Sequence, residues 1–161
     1  MNIRLLGDAE AKQLQQIVTE AEHIVICAHK SPDGDAIGSS LAWKLYLNQI
    51  GKTDVTLCMP DAYPDFLQWL PGASTVLRYD KHPEKVQQAF DRADLVCCLD
   101  FNQYARVEAM QATLEGCQAK RILIDHHLEP QTDNAITVSR PDMSSTSEMI
   151  FYIISQLEGY D

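Results

Sequence analysis

The sequence is short of positive charge: 13 Lys and Arg stand against 23 Asp and Glu, a formal net charge of −10 at pH 7 over 161 residues. Unaided binding to a nucleic-acid backbone or an anionic membrane needs a basic footprint. Long duplex nucleic acid and membrane surfaces are therefore excluded as partners unless a divalent cation reverses the field locally. No apolar run approaches the length needed to cross a bilayer, and the opening Met1-Asn-Ile-Arg-Leu-Leu6 turns polar at Gly7 and Asp8, without a signal peptide's apolar stretch. A cytoplasmic location is the expectation. The five cysteines, Cys27, Cys58, Cys97, Cys98 and Cys117, are odd in number and show no C-x-x-C spacing. That argues against a disulfide framework or zinc knuckle and for reduced, buried thiols. A Ser/Gly-rich linker, a charge run and an internal repeat are also missing, so one domain spanning residues 1–161 is expected, with 45% hydrophobic content to build its core.

What is present has an α/β rhythm. Three short apolar runs, Ile24-Val-Ile-Cys-Ala28, Leu95-Val-Cys-Cys-Leu99 and Ile122-Leu-Ile124, lack the polar alternation of a half-exposed strand. They read as strands buried on both faces, as in a parallel sheet covered by helices. Val55-Thr-Leu-Cys-Met59 is a fourth strand candidate and Ile136-Thr-Val138 a weaker one. Helical spacing occupies residues 10–21, residues 36–50 before a stop at Gly51, and the shorter segments 86–93 and 107–114. Ser145-Thr-Ser-Glu148 has the form of a capping box ahead of a helix over residues 149–157. The predicted class is α/β: an open, mostly parallel sheet with helices on both faces, a three-layer α/β/α arrangement.

Ligands of open α/β sheets bind at the carboxyl ends of the strands. Ala28 is followed by His29-Lys-Ser-Pro-Asp33-Gly-Asp35, Leu99 by Asp100-Phe-Asn102, and Ile124 by Asp125-His126-His127. Three strands thus deliver carboxylates and imidazoles to one edge. Asp33 and Asp35, separated by a glycine, can address two neighbouring points, with His29 reaching the first. Mixed carboxylate and imidazole donors suit Mn²⁺, with Mg²⁺ or Co²⁺ as substitutes. Converging Asp side chains repel one another unless cations sit among them. A two-metal centre removes that repulsion, acidifies a water and clamps phosphoryl oxygens.

The ordered set His29-x-x-x-Asp33-Gly-Asp35-Ala-Ile-Gly38-Ser39, then Asp100, then Asp125-His126-His127, resembles the first three motifs of the DHH family of metal-dependent phosphoesterases. With Ser-Ser-Thr-Ser-Glu148, it is most similar to the nanoRNase/pAp-phosphatase type that carries a DHHA1 domain. The resemblance implies that His29, Asp33 and Asp100 bind one Mn²⁺ and that Asp35, Asp100 and His126 bind the other, Asp100 bridging. It further implies that His127 faces the scissile phosphate as hydrogen-bond donor or acid, and that Asp125 orients a histidine. The family's fourth-motif aspartate and glycine-rich DHHA1 motif have no counterpart here, and the family pattern places both beyond Asp161.

Each feature also has a plainer reading. Asp33 and Asp35 are natural helix caps, and Asp125 to His127 could be a polar strand end. Lys30 and Arg106 are either phosphate contacts or solvated surface charges. Gly38 reads as a close-packing point between its helix and the sheet, and Cys97 and Cys98 as core. Trp43, Tyr46, Phe66 and Trp69 read as packing, since no basic residues interleave with them. No phosphate-cradling glycine motif and no G-x-S-x-G elbow occurs. The expected function is Mn²⁺-dependent hydrolysis of short oligonucleotides, dinucleotides derived from cyclic dinucleotides, or 3'-phosphoadenosine 5'-phosphate (pAp). Inorganic pyrophosphatase or polyphosphatase activity, or metal binding without turnover by these 161 residues, are the alternatives. A homo-oligomer is compatible with the sequence.

Overall fold

The computed structural model describes residues 4–131 and 133–158, so the two ends of the expected 1–161 domain lie outside the described residues. Six strands form one sheet: β1 (His23–Cys27), β2 (Asp54–Met59), β3 (Leu77–Arg78), β4 (Leu95–Leu99), β5 (Lys120–Asp125) and β6 (Ile136–Ser139). Their order is β3-β2-β1-β4-β5-β6, and every pairing is parallel. The α/β class is as expected, with the sheet wholly rather than mostly parallel.

Alternate residues of the central strands feed two separate cores. Ile24, Ile26, Leu95, Cys97, Leu99, Ile122 and Ile124 pack under α1 (Asp8–Glu20), α2 (Gly34–Gln49) and α5 (Thr146–Leu157). Val25, Cys27, Val96, Cys98 and Leu123 pack on the opposite face, against α3 (Pro83–Arg92) and the segment leading into α4 (Gln111–Gly116). Burial on both faces is why these strands are continuously apolar. The chain moves outward from β1 to β2 and β3, then returns to the other side of β1 with β4. The point where the order reverses lies between β1 and β4, where doubly wound folds open a crevice at the carboxyl edge.

Several local elements follow their sequence signals. Gly51, at φ 95°, ends α2 in the left-handed region that glycine tolerates. Trp43 and Tyr46 are buried packing residues, and Trp43 Nε1 donates to Cys97 Sγ at 3.3 Å across the sheet interface. Ser145 caps α5, accepting the Glu148 N–H at 3.1 Å. Glu148, however, does not complete a reciprocal box with Ser145; its carboxylate is bonded by the Ser144 hydroxyl. Ser145→Ala is expected to cost about 1 kcal/mol through the lost cap, read as a lower urea midpoint at unchanged m.

Other expectations need correction. The helix anticipated over residues 107–114 is a 3₁₀ turn, Tyr104–Met110, followed by the short α4, because Glu108 leaves helical geometry at φ 41°. Tyr104, Val107 and Met110 all turn inward, from two short 3₁₀ turns that meet at the Glu108 kink. Gly38 faces α5, not the sheet: a Cβ there would meet Ser147 Oγ at 3.2 Å. Phe66 and Trp69 are not packed but 73% and 74% exposed, since only Leu67 of the 3₁₀ turn Asp65–Leu67 turns inward.

Candidate metal centre

The left-handed backbone region is costly for residues with a side chain, and its occurrence often marks a functional site. Among the described residues, four non-glycine residues adopt it: Ser31 after β1, Asp100 after β4, Glu108 in the 3₁₀ turn and Glu129 after β5. The strain is concentrated in the loops at or beside the carboxyl edge. At Asp100, φ 65° folds the chain back as soon as β4 ends, and the side chain is only 2% exposed. The Lys30 N–H donates to the Arg106 carbonyl at 2.9 Å, and Lys30 Nζ meets Glu108 at 3.0 Å. These contacts tie the β1 loop to the 3₁₀ turn.

A cleft of about 340 Å³ opens at this edge, lined by His29, Asp33, Asp35, Asp100, Arg106, His126, His127, Ser144 and Ser145. Asp100 lies at its centre. His29 Nε2 is 3.3 Å from Asp100 Oδ2 and 3.8 Å from Asp33 Oδ1, while His126 Nε2 is 3.6 Å from both Asp100 Oδ1 and Asp35 Oδ2. Each histidine therefore faces two carboxylates, and Asp100 belongs to both groups. Candidate ligand atoms of His29, Asp33 and Asp100 lie within 4.8 Å of one another, as do those of Asp100, Asp125, His126 and His127.

The plainer reading of Asp33 is also realised, since Oδ1 accepts the Ala36 N–H at 2.9 Å and caps α2. Oδ1 is also the oxygen that faces His29, and a carboxylate oxygen that accepts one N–H keeps a lone pair to offer, so capping and ligation do not compete. Asp35, in the first turn of α2, accepts the Thr146 N–H on Oδ2 at 2.9 Å and the Ser147 N–H on Oδ1 at 2.8 Å. Asp125 is fully buried and holds His127, taking its Nδ1–H at 2.7 Å and its backbone N–H at 2.9 Å, which presents Nε2 to the cleft. Arg106 lines the cleft. Lys30 does not: its ammonium group is paired with Glu108.

The electrostatics of the cluster follow from burial and from its neighbouring carboxylates. Burial pushes the Asp100 carboxyl up, the neighbouring Asp35 carboxylate pushes it further, and the His29 and Thr146 hydrogen bonds only partly oppose this. Burial acts the same way on Asp35, but the Ser147 and Thr146 donors outweigh it and hold that group low. His29 Nδ1 faces the Lys30 carbonyl at 2.7 Å, and a carbonyl can only accept, so Nδ1 carries the proton. In the neutral ring Nε2 then directs a lone pair at two carboxylates. Lone pairs facing lone pairs need a proton or a cation between them, and these donors, imidazole nitrogen and carboxylate oxygen without thiolate, fit a hard-to-borderline divalent cation.

A smaller cleft of about 250 Å³, lined by residues of α1, α2 and α5, carries Lys52 and Glu158 as its only charged lining residues. Lys52 Nζ is held there by the Thr19 and Ala21 carbonyls at 2.6 and 2.8 Å. It offers no comparable convergence of donors.

The residue missed by sequence reasoning is Thr146, fully buried beneath Asp100, with Ser144 beside it at the cleft. The Ser-Thr-Ser-Glu pattern marked a helix start, and nothing in it pointed across the sheet.

Fold and site together define a doubly wound, wholly parallel α/β protein with an acidic and histidine-rich candidate metal centre at its switch point. The model of the DHH family, N-terminal domain, matches residues 23–161, and the chain belongs to that family. It is 32% identical over 134 residues to the bifunctional oligoribonuclease and PAP phosphatase NrnA of Thermus thermophilus, covering 83% of this chain and 37% of the relative. It is 25% identical over 146 residues to the cyclic-di-AMP phosphodiesterase GdpP of Bacillus subtilis, covering 85% of this chain and 22% of the relative. The chain thus spans well under half the length of these relatives. Among solved structures, an exopolyphosphatase-related protein from Bacteroides fragilis superposes with a TM-score of 0.93 at 39% identity, over 96% of this chain and 45% of that one. The exonuclease RecJ bound to manganese superposes at 0.57 with 17% identity, over 99% of this chain and 40% of that one, a likeness of fold alone. Among the described residues, no helix is long and apolar enough to cross a membrane.

Proposed function

We propose that this chain is the metal-binding part of a phosphoesterase that hydrolyses short oligonucleotides, dinucleotides or pAp. The observation that carries the reading is the buried Asp100, placed between His29 and Asp33 on one side and Asp35 and His126 on the other. His29, Asp33 and Asp100 would hold one cation, and Asp35, Asp100 and His126 the second. Manganese is the first choice, with Mg²⁺ or Co²⁺ as substitutes. Two such cations would stabilise charge on phosphoryl oxygens and would acidify a water so that hydroxide, the nucleophile of hydrolysis, is available at neutral pH.

The chain's own groups then have separate tasks. Asp125 fixes the His127 ring through Nδ1, so Nε2 is the atom left to meet a phosphate oxygen or the leaving oxygen. Arg106 lines the same cleft, and a guanidinium there suits a terminal phosphate, which it can bind in a bidentate manner. The names of the Thermus and Bacillus relatives support a small nucleotide as substrate and agree with the cleft's modest size.

The test is hydrolysis by the full-length protein with Mn²⁺, comparing a dinucleotide and pAp with pyrophosphate and polyphosphate. Turnover of the nucleotides at least about a hundredfold faster supports the reading, a margin expected when a site is built around one substrate's polar groups. Preference for pyrophosphate or polyphosphate would favour the second reading, which the name of the Bacteroides fragilis neighbour supports. Residues 1–161 alone are expected to bind Mn²⁺ without robust cleavage, and efficient cleavage by them would refute that part.

A further inference from the structure

We propose that Thr146 is a positioning residue of the metal centre, acting on the half of it formed by Asp35, Asp100 and His126; the proposal rests on the metal reading above. Thr146 is the first residue of α5 and is fully buried. Its hydroxyl donates to Asp100 Oδ1 at 3.0 Å and its backbone N–H to Asp35 Oδ2 at 2.9 Å. One residue thus connects two carboxylates that come from different elements and repel each other.

The choice of oxygen makes the proposal specific. Asp100 Oδ1, the atom that Thr146 touches, faces His126 at 3.6 Å, whereas Oδ2 faces His29 at 3.3 Å. A carboxylate oxygen that accepts one hydroxyl still has a lone pair to offer, so the bond aims Oδ1 without occupying it. The hydroxyl is itself fixed in register. Ser145 caps the same helix turn, the Ser147 N–H takes the other oxygen of Asp35 at 2.8 Å, and Met149, Ile150 and Ile153 bury α5 in the core. α5 thereby acts as a rigid bracket whose tip sets the spacing between Asp35 and Asp100.

Thr146→Val keeps the shape and removes the hydroxyl; Thr146→Ser keeps the hydroxyl and removes the methyl group. Mn²⁺ binding to the full-length proteins is measured by calorimetry and by electron paramagnetic resonance. Wild type should show two sites. Thr146→Val should weaken one of them ten- to a hundredfold, the usual effect of losing a group that orients a ligand, and leave the other within about threefold. Thr146→Ser should restore wild-type binding. At a temperature where circular dichroism shows the cation-free Thr146→Val variant to be folded, its activity should recover as Mn²⁺ is raised. Two unchanged sites in the Val variant, equal weakening of both, or a Ser variant as poor as Val would each overturn the proposal. A wild-type protein that binds no Mn²⁺ at all would overturn the metal reading, and this inference with it.

Discussion

Asp100→Asn in the full-length protein is expected to lower phosphoester hydrolysis at least about a thousandfold, the scale seen when a central transition-state stabiliser is deleted. Asp100 is the residue shared by both halves of the site, with one oxygen toward His29 and the other toward His126. An amide keeps the shape but offers one acceptor and two N–H donors, so it cannot present two anionic oxygens to two cations. The folded protein should not suffer. The side chain is 2% exposed and lies beside the Asp35 carboxylate, so without cations its charge is buried next to a like charge. Replacing it with a neutral isostere is expected to leave the cation-free protein at least as stable as wild type. Lost activity with an unchanged or raised urea midpoint is the supporting result. Near wild-type turnover would remove Asp100 from the centre of the mechanism.

The parts of the fold legible in the sequence are those where one physical signal dominates. β1, β4 and β5 are buried on both faces, so Ile24, Leu95 and Ile122 and their neighbours form unbroken apolar runs. β3 was not legible because it is only Leu77 and Arg78, a half-buried edge pairing with β2. The helix expected over residues 107–114 failed because the spacing of Val107 and Leu114 suits one helix as well as two turns in series. Contacts distant in sequence decide between them: the β1 loop holds the Arg106 carbonyl and the Glu108 carboxylate. Phe66 and Trp69 were misplaced for the opposite reason, since apolar character alone does not show whether a neighbour is there to cover it.

The candidate site divides in the same way. His29 and Asp100 follow apolar runs, and Asp125 to His127 close and follow the apolar run of β5, so the strand ends announced them. The local hydrogen bond of Asp33 to Ala36 could be read as a cap, and this role leaves the capping oxygen a lone pair to offer. Thr146 could not be read, because it is uncharged and reaches Asp100 from 46 residues away. Lys30 and Arg106 looked equivalent in sequence. They separate only when Glu108 is seen to take the lysine while the arginine remains at the cleft.

Adding Mn²⁺ to about a hundred times its dissociation constant at both sites should raise this domain's melting temperature in the full-length protein by roughly 10–20 °C. Each occupied site contributes about 2.7 kcal/mol, and each kcal/mol is worth about 2–4 °C for a domain of this size. The ligands come from distant parts of the chain. His29 and Asp100 are 71 residues apart in sequence, and the strand ends bring them to 3.3 Å, so an unfolded chain has no comparable site and the cations act on the folded state alone. Charge works in the same direction: two divalent cations would move the formal charge from −10 to −6. They would do so among the carboxylates that repel most, and would leave the cleft attractive to a phosphate despite an acidic protein. A chelator should reverse the shift, and Asp100→Asn should abolish most of it. If melting is insensitive to Mn²⁺, or if the Asn variant shows the full wild-type shift, the cluster is an assembly of helix caps and hydrogen bonds rather than a metal centre.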